Sequence, residues 1–200
     1  MVMSQDGVNK TRRTLLVGAT GAVGAVGAGF LAVPFVKSWL PSEKAKAAGA
    51  PAKVDVSKIE PGAMLTAEWR GKPVYIVRRT PETLDTLGTL ADRLKDPENS
   101  NKEQQPAYAD NGYRSRKPDL LVLLGVCTHL GCAPKYFAEV KPEPFDSDWK
   151  GGWYCPCHGS RFDLAGRVFN GSPAASNLVV PPYSYESDKV LVIGVDEENA

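Results

Sequence analysis

The chain of 200 residues carries 24 basic and 23 acidic groups and is 42% hydrophobic, enough for one modest globular domain with extensions and too much for a chain disordered throughout. The first forty residues hold Lys10, Arg12, Arg13 and Lys37 against Asp6, which leaves 20 basic and 22 acidic groups in the remainder, a balance of −2. A head of that balance offers no basic stripe for phosphate backbones, so nucleic acid is not expected as a partner.

Residues 1–13 form a short basic N-terminus. From Thr14 to Val36 runs an uncharged stretch of 23 residues, about 34 Å as a helix at ~1.5 Å per residue and long enough to cross a bilayer. Residues 14–40 are therefore expected as one transmembrane helix that is retained, because a cleaved signal peptide has an apolar core of only about 7 to 15 residues. Arg12 and Arg13 before the span place the N-terminus in the cytoplasm and the head in the periplasm, on the outer side of a bacterial inner membrane. The run "TRRTLL" also resembles a twin-arginine export signal, which is read by a receptor and moves folded proteins. Gly18, Gly21, Gly24 and Gly27 recur every third residue, and Gly21, Ala25 and Gly29 make a ridge of small residues. Such a ridge lets membrane helices approach closely, and it equally suits a weakly hydrophobic signal. The following stretch, "PSEKAKAAGAPAK" at 41–53, has no large apolar residue to bury and is expected as a flexible tether.

The head, residues 54–200, reads mostly as strands. "KPVYIVRR" (72–79), "DLLVLLGV" (119–126), "GGWYC" (151–155), "NLVVPPY" (177–183) and "KVLVIGV" (189–195) are short β-branched or aromatic runs bounded by Gly, Pro and Asp. "RFDLAGRVF" (161–169) reads as a hairpin turning near Ala165-Gly166. Only "PETLDTLGTLADRLKD" (81–96) has helical spacing, with Leu84, Leu87 and Leu94 on one face. The polar stretch 97–118 reads as an insertion. The expected fold is mainly β: a small antiparallel sandwich or barrel-like head with an inserted helix, preceded by one transmembrane helix.

All four cysteines and both histidines fall in two short stretches, "CTHLGC" at 127–132 and "CPCHGS" at 155–160. Each follows a strand-like run, so each is expected as a loop from a sheet edge. The spacings Cys127-x-His129-x-x-Cys132 and Cys155-x-Cys157-His158 let residues two or three apart point at a common centre, as in zinc and iron–sulfur loops. One Cys and one His from each loop would make a Cys2His2 set and leave one Cys per loop, which could pair. Two plain disulfides would suit an exported protein but give the histidines no task. A zinc ribbon would use two Cys and two His and leave the other cysteine pair unexplained.

The two stretches together resemble the cluster-binding boxes of the Rieske iron–sulfur proteins. With the anchor, the twin arginine and the strand-rich head, the chain is similar to the Rieske subunits of bacterial ubiquinol:cytochrome c reductase, the cytochrome bc1 complex. That resemblance implies a Rieske 2Fe–2S cluster bound within about 119–176, with Cys127 and Cys155 on one iron and His129 and His158 on the other. It implies a disulfide between Cys132 and Cys157, which the similar boxes of ring-hydroxylating oxygenases lack, and so a high-potential centre. It gives Ser160 a hydroxyl bond to a cluster sulfide, makes "GSPAAS" (171–176) a third, shielding loop, and puts Leu130 at a quinone-docking tip, although an apolar Leu130 would also serve as a core plug. Many mitochondrial relatives have tyrosine where this chain has Phe162, which implies one hydrogen bond fewer and a somewhat lower potential. The implied activity is ubiquinol oxidation at the outer quinone site, with His158 accepting the quinol's hydrogen bond. One electron then passes to cytochrome c1 and the other to cytochrome b, within a respiratory, dimeric complex whose head swings on the tether. The small Rieske subunit of a periplasmic oxidase such as arsenite oxidase is similar too.

Overall fold

The computed structural model describes residues 9–196; residues 1–8, most of the short basic N-terminus, lie outside the described residues. The chain forms two compact units that divide between Ala47 and Ala48.

In the first unit, α1 spans Lys10–Ser38, and Asn9 caps it by accepting the Arg12 backbone N–H at 3.1 Å. Its apolar residues occur all round the helix and are exposed, Phe30 and Leu31 among them, which is the pattern of a membrane span and not of an amphipathic surface helix. The helix is long and apolar enough to cross a membrane. A short α2, Glu43–Ala48, follows within the stretch expected as tether.

The head contains three antiparallel three-stranded sheets. The first joins its two ends: β1 (Ala52–Asp55) pairs with β9 (Val190–Ile193), which pairs with β8 (Tyr183–Ser187). Ala52 and Lys53 thus belong to the sheet and not to the tether. The second sheet orders β2 (Met64–Trp69), β3 (Lys72–Arg78) and β4 (Leu120–Leu124), with Ile76 opposite Val122. Val74, Tyr75, Ile76 and Val77 are buried in succession, as are Leu120 to Leu123, so these strands are covered on both faces, and their sequences run continuously apolar instead of alternating. The third sheet, β5 (Lys135–Phe137), β6 (Gly152–Tyr154) and β7 (Arg161–Asp163), sets Trp153 opposite Phe162. Fully buried Ile76, Leu121, Leu123, Trp153, Phe162, Tyr183 and Leu191 belong to one core, each aliphatic member contributing roughly 1.5–3 kcal/mol of transfer free energy. Leu90, Leu94, Trp149 and Phe169 form a second, smaller cluster.

The hairpin at 161–169 is present, with Phe162 bridging Val168 and Gly166 N–H donating to the Asp163 carbonyl at 2.8 Å. Three expectations need correcting. The helix at 81–96 ends early: α3 covers Pro81–Leu87, a 3₁₀ turn runs Gly88–Arg93, and Leu94 is extended, bridging Phe169. Leu87 and Leu94 consequently enter different clusters. The run 177–183 forms no strand before Tyr183, because Pro181 and Pro182 have no N–H to give a ladder; it is extended, with Leu178 N–H on the Gly166 carbonyl and Val180 N–H on the Gln104 carbonyl.

The polar stretch 97–118 is not a solvated insertion, since Asn99, Gln104, Gln105, Arg114 and Ser115 are buried in it. Arg114 donates to the Ala165 carbonyl at 3.1 Å and to Gln105 Oε1 at 3.0 Å, which fastens the stretch to the β7 hairpin. Arg79 donates to the carbonyls of Pro118, Tyr113 and Leu164. Burial pulls both guanidinium groups down to about 10, still charged at neutral pH.

Burial has the opposite effect on the head's phenols, pushing Tyr108 and Tyr136 up to about 12. A phenol near about 10 in the unfolded chain releases its proton first, and burial raises Tyr75, Tyr183 and Tyr185 likewise, so the five phenols outnumber the two arginines, whose lowered values act the other way, and stability falls as pH rises through that window. Denaturant midpoints are expected to hold steady to about pH 10 and then drop, with phenolate absorbance of the folded head lagging that of the unfolded chain.

Candidate metal centre

Both cysteine–histidine loops stand at the end of the third sheet where Lys135, Tyr154 and Arg161 pair. The first, 127–132, lies between β4 and β5, and the second, 155–160, joins β6 to β7. They close alike. Cys127 N–H donates to the Cys132 carbonyl at 2.8 Å and Gly131 N–H to the Cys127 carbonyl at 2.9 Å; Cys155 N–H donates to the Ser160 carbonyl at 2.7 Å and Gly159 N–H to the Cys155 carbonyl at 2.9 Å. Gly131 and Gly159 lie at φ +83° and +76°, a left-handed turn in which a side chain would be strained. Within this common frame the histidine comes two residues after the first cysteine in one loop and three after it in the other.

The remaining cysteines join the loops. Cys132 and Cys157 form a disulfide with a Cα–Cα distance of 6.6 Å. Cys127 and Cys155 are free thiols at 3% and 2% exposure, within the main core. Burial pushes the Cys127 thiol up, against the pull of the His129 backbone N–H and the Ser160 hydroxyl, so its thiolate depends on coordination by a metal. The sulfurs of Cys132, Cys155 and Cys157 lie within 4.8 Å of one another. Two of these are spent in the disulfide, so that trio is not the donor set, and Cys155 is its one available thiol.

The imidazoles are less buried than the free thiols. His129 is half-buried and His158 exposed, their ring centroids 4.7 Å apart and their planes at 88°. His129 Nδ1 is buried without a hydrogen-bond partner, an arrangement that costs free energy unless something such as a metal accepts its lone pair. Two buried thiols and two imidazoles, one with an unpartnered inner nitrogen, fit an iron–sulfur cluster of mixed ligation. Two plain disulfides are ruled out by the free thiols.

Ser160 is fully buried, and its Oγ accepts the Ala174 N–H at 3.0 Å. Phe162 is fully buried in the core that also holds Cys127 and Cys155. Leu130 is 72% exposed, so it is not a core plug. Residues 171–176 form an irregular, bent segment beside the loops, with Ser172 and Ala174 buried and Gly171, Pro173 and Ala175 exposed. Ser172 Oγ accepts the Arg161 N–H, the Ser176 carbonyl accepts the Thr128 hydroxyl at 2.6 Å, and Ser176 Oγ accepts from Gln104 Nε2 at 2.7 Å. Gln104 and Thr128 carried no signal in the sequence, since an amide in a polar run and a hydroxyl between ligands read as solvated.

The fold and the two loops are those of a Rieske iron–sulfur protein, and residues 103–184 match the family model "Rieske [2Fe-2S] domain". Residues 2–42 match a second model, "Ubiquitinol-cytochrome C reductase Fe-S subunit TAT signal". The ubiquinol-cytochrome c reductase iron-sulfur subunit of Allochromatium vinosum is 56% identical over 99% of this chain and 95% of its own length. The subunit of the same name from Blastochloris viridis is 39% identical over 96% of this chain and 97% of its own, and the mitochondrial cytochrome b-c1 complex Rieske subunit of Schizosaccharomyces pombe 40% over 88% and 68%. The chain belongs to the family of ubiquinol-cytochrome c reductase iron–sulfur subunits, and its cofactor is a Rieske 2Fe–2S cluster.

The disulfide closes a separation of 25 residues, worth about 3.5 kcal/mol in the loop-entropy account. Replacing Cys132 and Cys157 together by serine is expected to lower the urea unfolding free energy by about 2–4 kcal/mol. It should also hasten bleaching of the cluster, read as loss of visible absorbance in air.

Proposed function

We propose that this subunit oxidises ubiquinol at the outer quinone pocket of cytochrome b and delivers one electron to cytochrome c1, its head periplasmic and its N-terminus cytoplasmic. The observation carrying this reading is the division of the site into two buried thiols and two imidazoles less buried than they are, His129 half-buried and His158 exposed, on loops clasped by a disulfide. Cys127 and Cys155 would hold one iron as thiolates, and His129 and His158 the other. When bound, the cluster supplies a one-electron acceptor whose potential is high because neutral imidazoles replace two anionic thiolates.

The chain's own groups do the rest. His158, the more exposed imidazole, keeps its second ring nitrogen free to take a hydrogen bond, and then a proton, from a quinol hydroxyl. A proton held there offsets the negative charge of an added electron, so proton and electron leave the quinol together. Leu130, exposed beside His129, supplies an apolar contact for the rim of the quinone pocket. Ser160, fully buried at the end of the second loop, would donate its hydroxyl to a cluster sulfide, and a donor to sulfur favours the more negative, reduced state. Residues 39–51, between α1 and β1, give the head its reach between the two cytochromes in a dimeric complex.

Membranes from cells able to assemble such centres should show a reduced-state electron paramagnetic resonance signal, and cytochrome b should co-purify with the chain. The signal is expected to disappear in Cys155→Ser and in His129→Ala. Purified protein that contains zinc or no metal would end this reading. Phe162→Tyr is expected to raise the midpoint potential, because it places a hydroxyl in the dry core beside the ligand sulfurs; an unshifted redox titration would remove Phe162 from the tuning.

A further inference from the structure

The segment 171–176 is the wall of the site that the disulfide does not clasp, and a cation holds it. Lys95 Nζ donates to the Ser172 carbonyl at 2.6 Å and to the Ala174 carbonyl at 2.8 Å, on either side of Pro173. Its own backbone N–H is bonded to the Val168 carbonyl at 2.9 Å, and the neighbouring Arg93 and Asp96 carbonyls accept from Asn170 N–H and Asn177 Nδ2. The base of the grip is therefore laced to the same hairpin and segment that it holds. No carboxylate stands within ion-pair distance of Lys95 among the described residues. Its hydrogen bonds go to the two carbonyls instead. Between those carbonyls lies the Ala174 N–H, which donates to Ser160 Oγ at 3.0 Å. With its oxygen accepting there, the Ser160 hydroxyl has its hydrogen free for another acceptor, and the fully buried Ser160 closes the second loop by accepting the Cys155 N–H on its carbonyl.

We propose that Lys95 is a positioning residue for the redox centre: by gripping the Ser172 and Ala174 carbonyls it keeps the Ala174 N–H on Ser160 Oγ, and so keeps the Ser160 hydroxyl aimed at the cluster. This rests on the proposed reading of Ser160 as a donor to a cluster sulfide. An ammonium suits the task because its compact, tetrahedral donors can serve two carbonyls at once while a third faces water. Lys95 is largely exposed, so water screens its charge, and its effect runs through the hydrogen bonds and not through its field. That distinction is measurable.

In the full-length protein in membranes, potential is read by titrating the electron paramagnetic resonance signal. Lys95→Met is expected to lower the reduced-to-oxidised ratio at fixed ambient potential by about threefold to tenfold, ~59 mV at the upper end for one electron. Ser160→Ala lowers it as well. Adding Lys95→Met to Ser160→Ala lowers it no further, the non-additivity expected of groups acting in series. Independently of the cluster signal, the Ala174 amide should exchange hydrogen for deuterium about tenfold faster in Lys95→Met. Lys95→Gln, which keeps one donor, should give an intermediate fall and serves where Lys95→Met fails to load a cluster. An unchanged potential in Lys95→Gln or Lys95→Met, or an equal fall in the Ser160→Ala background, overturns the proposal. A wild-type chain without the reduced-state signal would instead overturn the cluster-binding reading on which it rests.

Discussion

The structure depends on a conflict that iron resolves. A thiol in a dry core resists ionising, and a buried ring nitrogen without a partner is a standing cost, yet the loops keep Cys127, Cys155 and His129 in those environments. They do so with bonds that need no metal: two matched closures from cysteine N–H to a carbonyl five residues on, and one disulfide between the tips. These thiols and this imidazole are thus arranged by the fold, and a metal held by them would not spend its free energy of coordination on arranging them.

Around this centre the support is layered. The third sheet brings both loops to one end, and the segment 171–176 is pinned at alternate residues while its other residues face outward. The stretch 97–118 backs that segment through Gln104 and fastens to the β7 hairpin through Arg114. Arg79 and Arg114 spend most of their donors on carbonyls. Their charges are met by backbone dipoles more than by acids, with Asp163 the nearest buried counter-charge and itself engaged by Arg167. An irregular, polar shell of this kind fixes positions by directional bonds where a larger apolar core would leave play.

Legibility in the sequence followed the strength of local physics. The metal centre was legible because cysteine and histidine at those offsets have few other uses, and β3, β4 and β9 because branched apolar residues run together between turn residues. β2 and β8, "MLTAEW" and "YSYES", were missed because half their residues face solvent and break the pattern, and β5 because three residues give no period. The leucine spacing at 81–96 suggested one helix. The chain there tightens into a 3₁₀ turn because Leu90 and Leu94 fill a separate cluster with Trp149 and Phe169. The burial of Gln104 and Arg114 is a matter of tertiary partners, to which hydrophobicity is blind. The disulfide pairing came from family resemblance and the exposure of Leu130 from the fold, neither being a property of spacing.

The unequal surroundings of the two halves of the site make it electrically one-sided. Cys127 and Cys155 share a core with Tyr75, Trp153 and Phe162, none of them charged, whereas His158 is exposed and His129 half-buried next to the exposed Leu130 in the chain. An electron entering or leaving the site therefore has its shortest path to solvent on the histidine side, and the rest of the head is insulation.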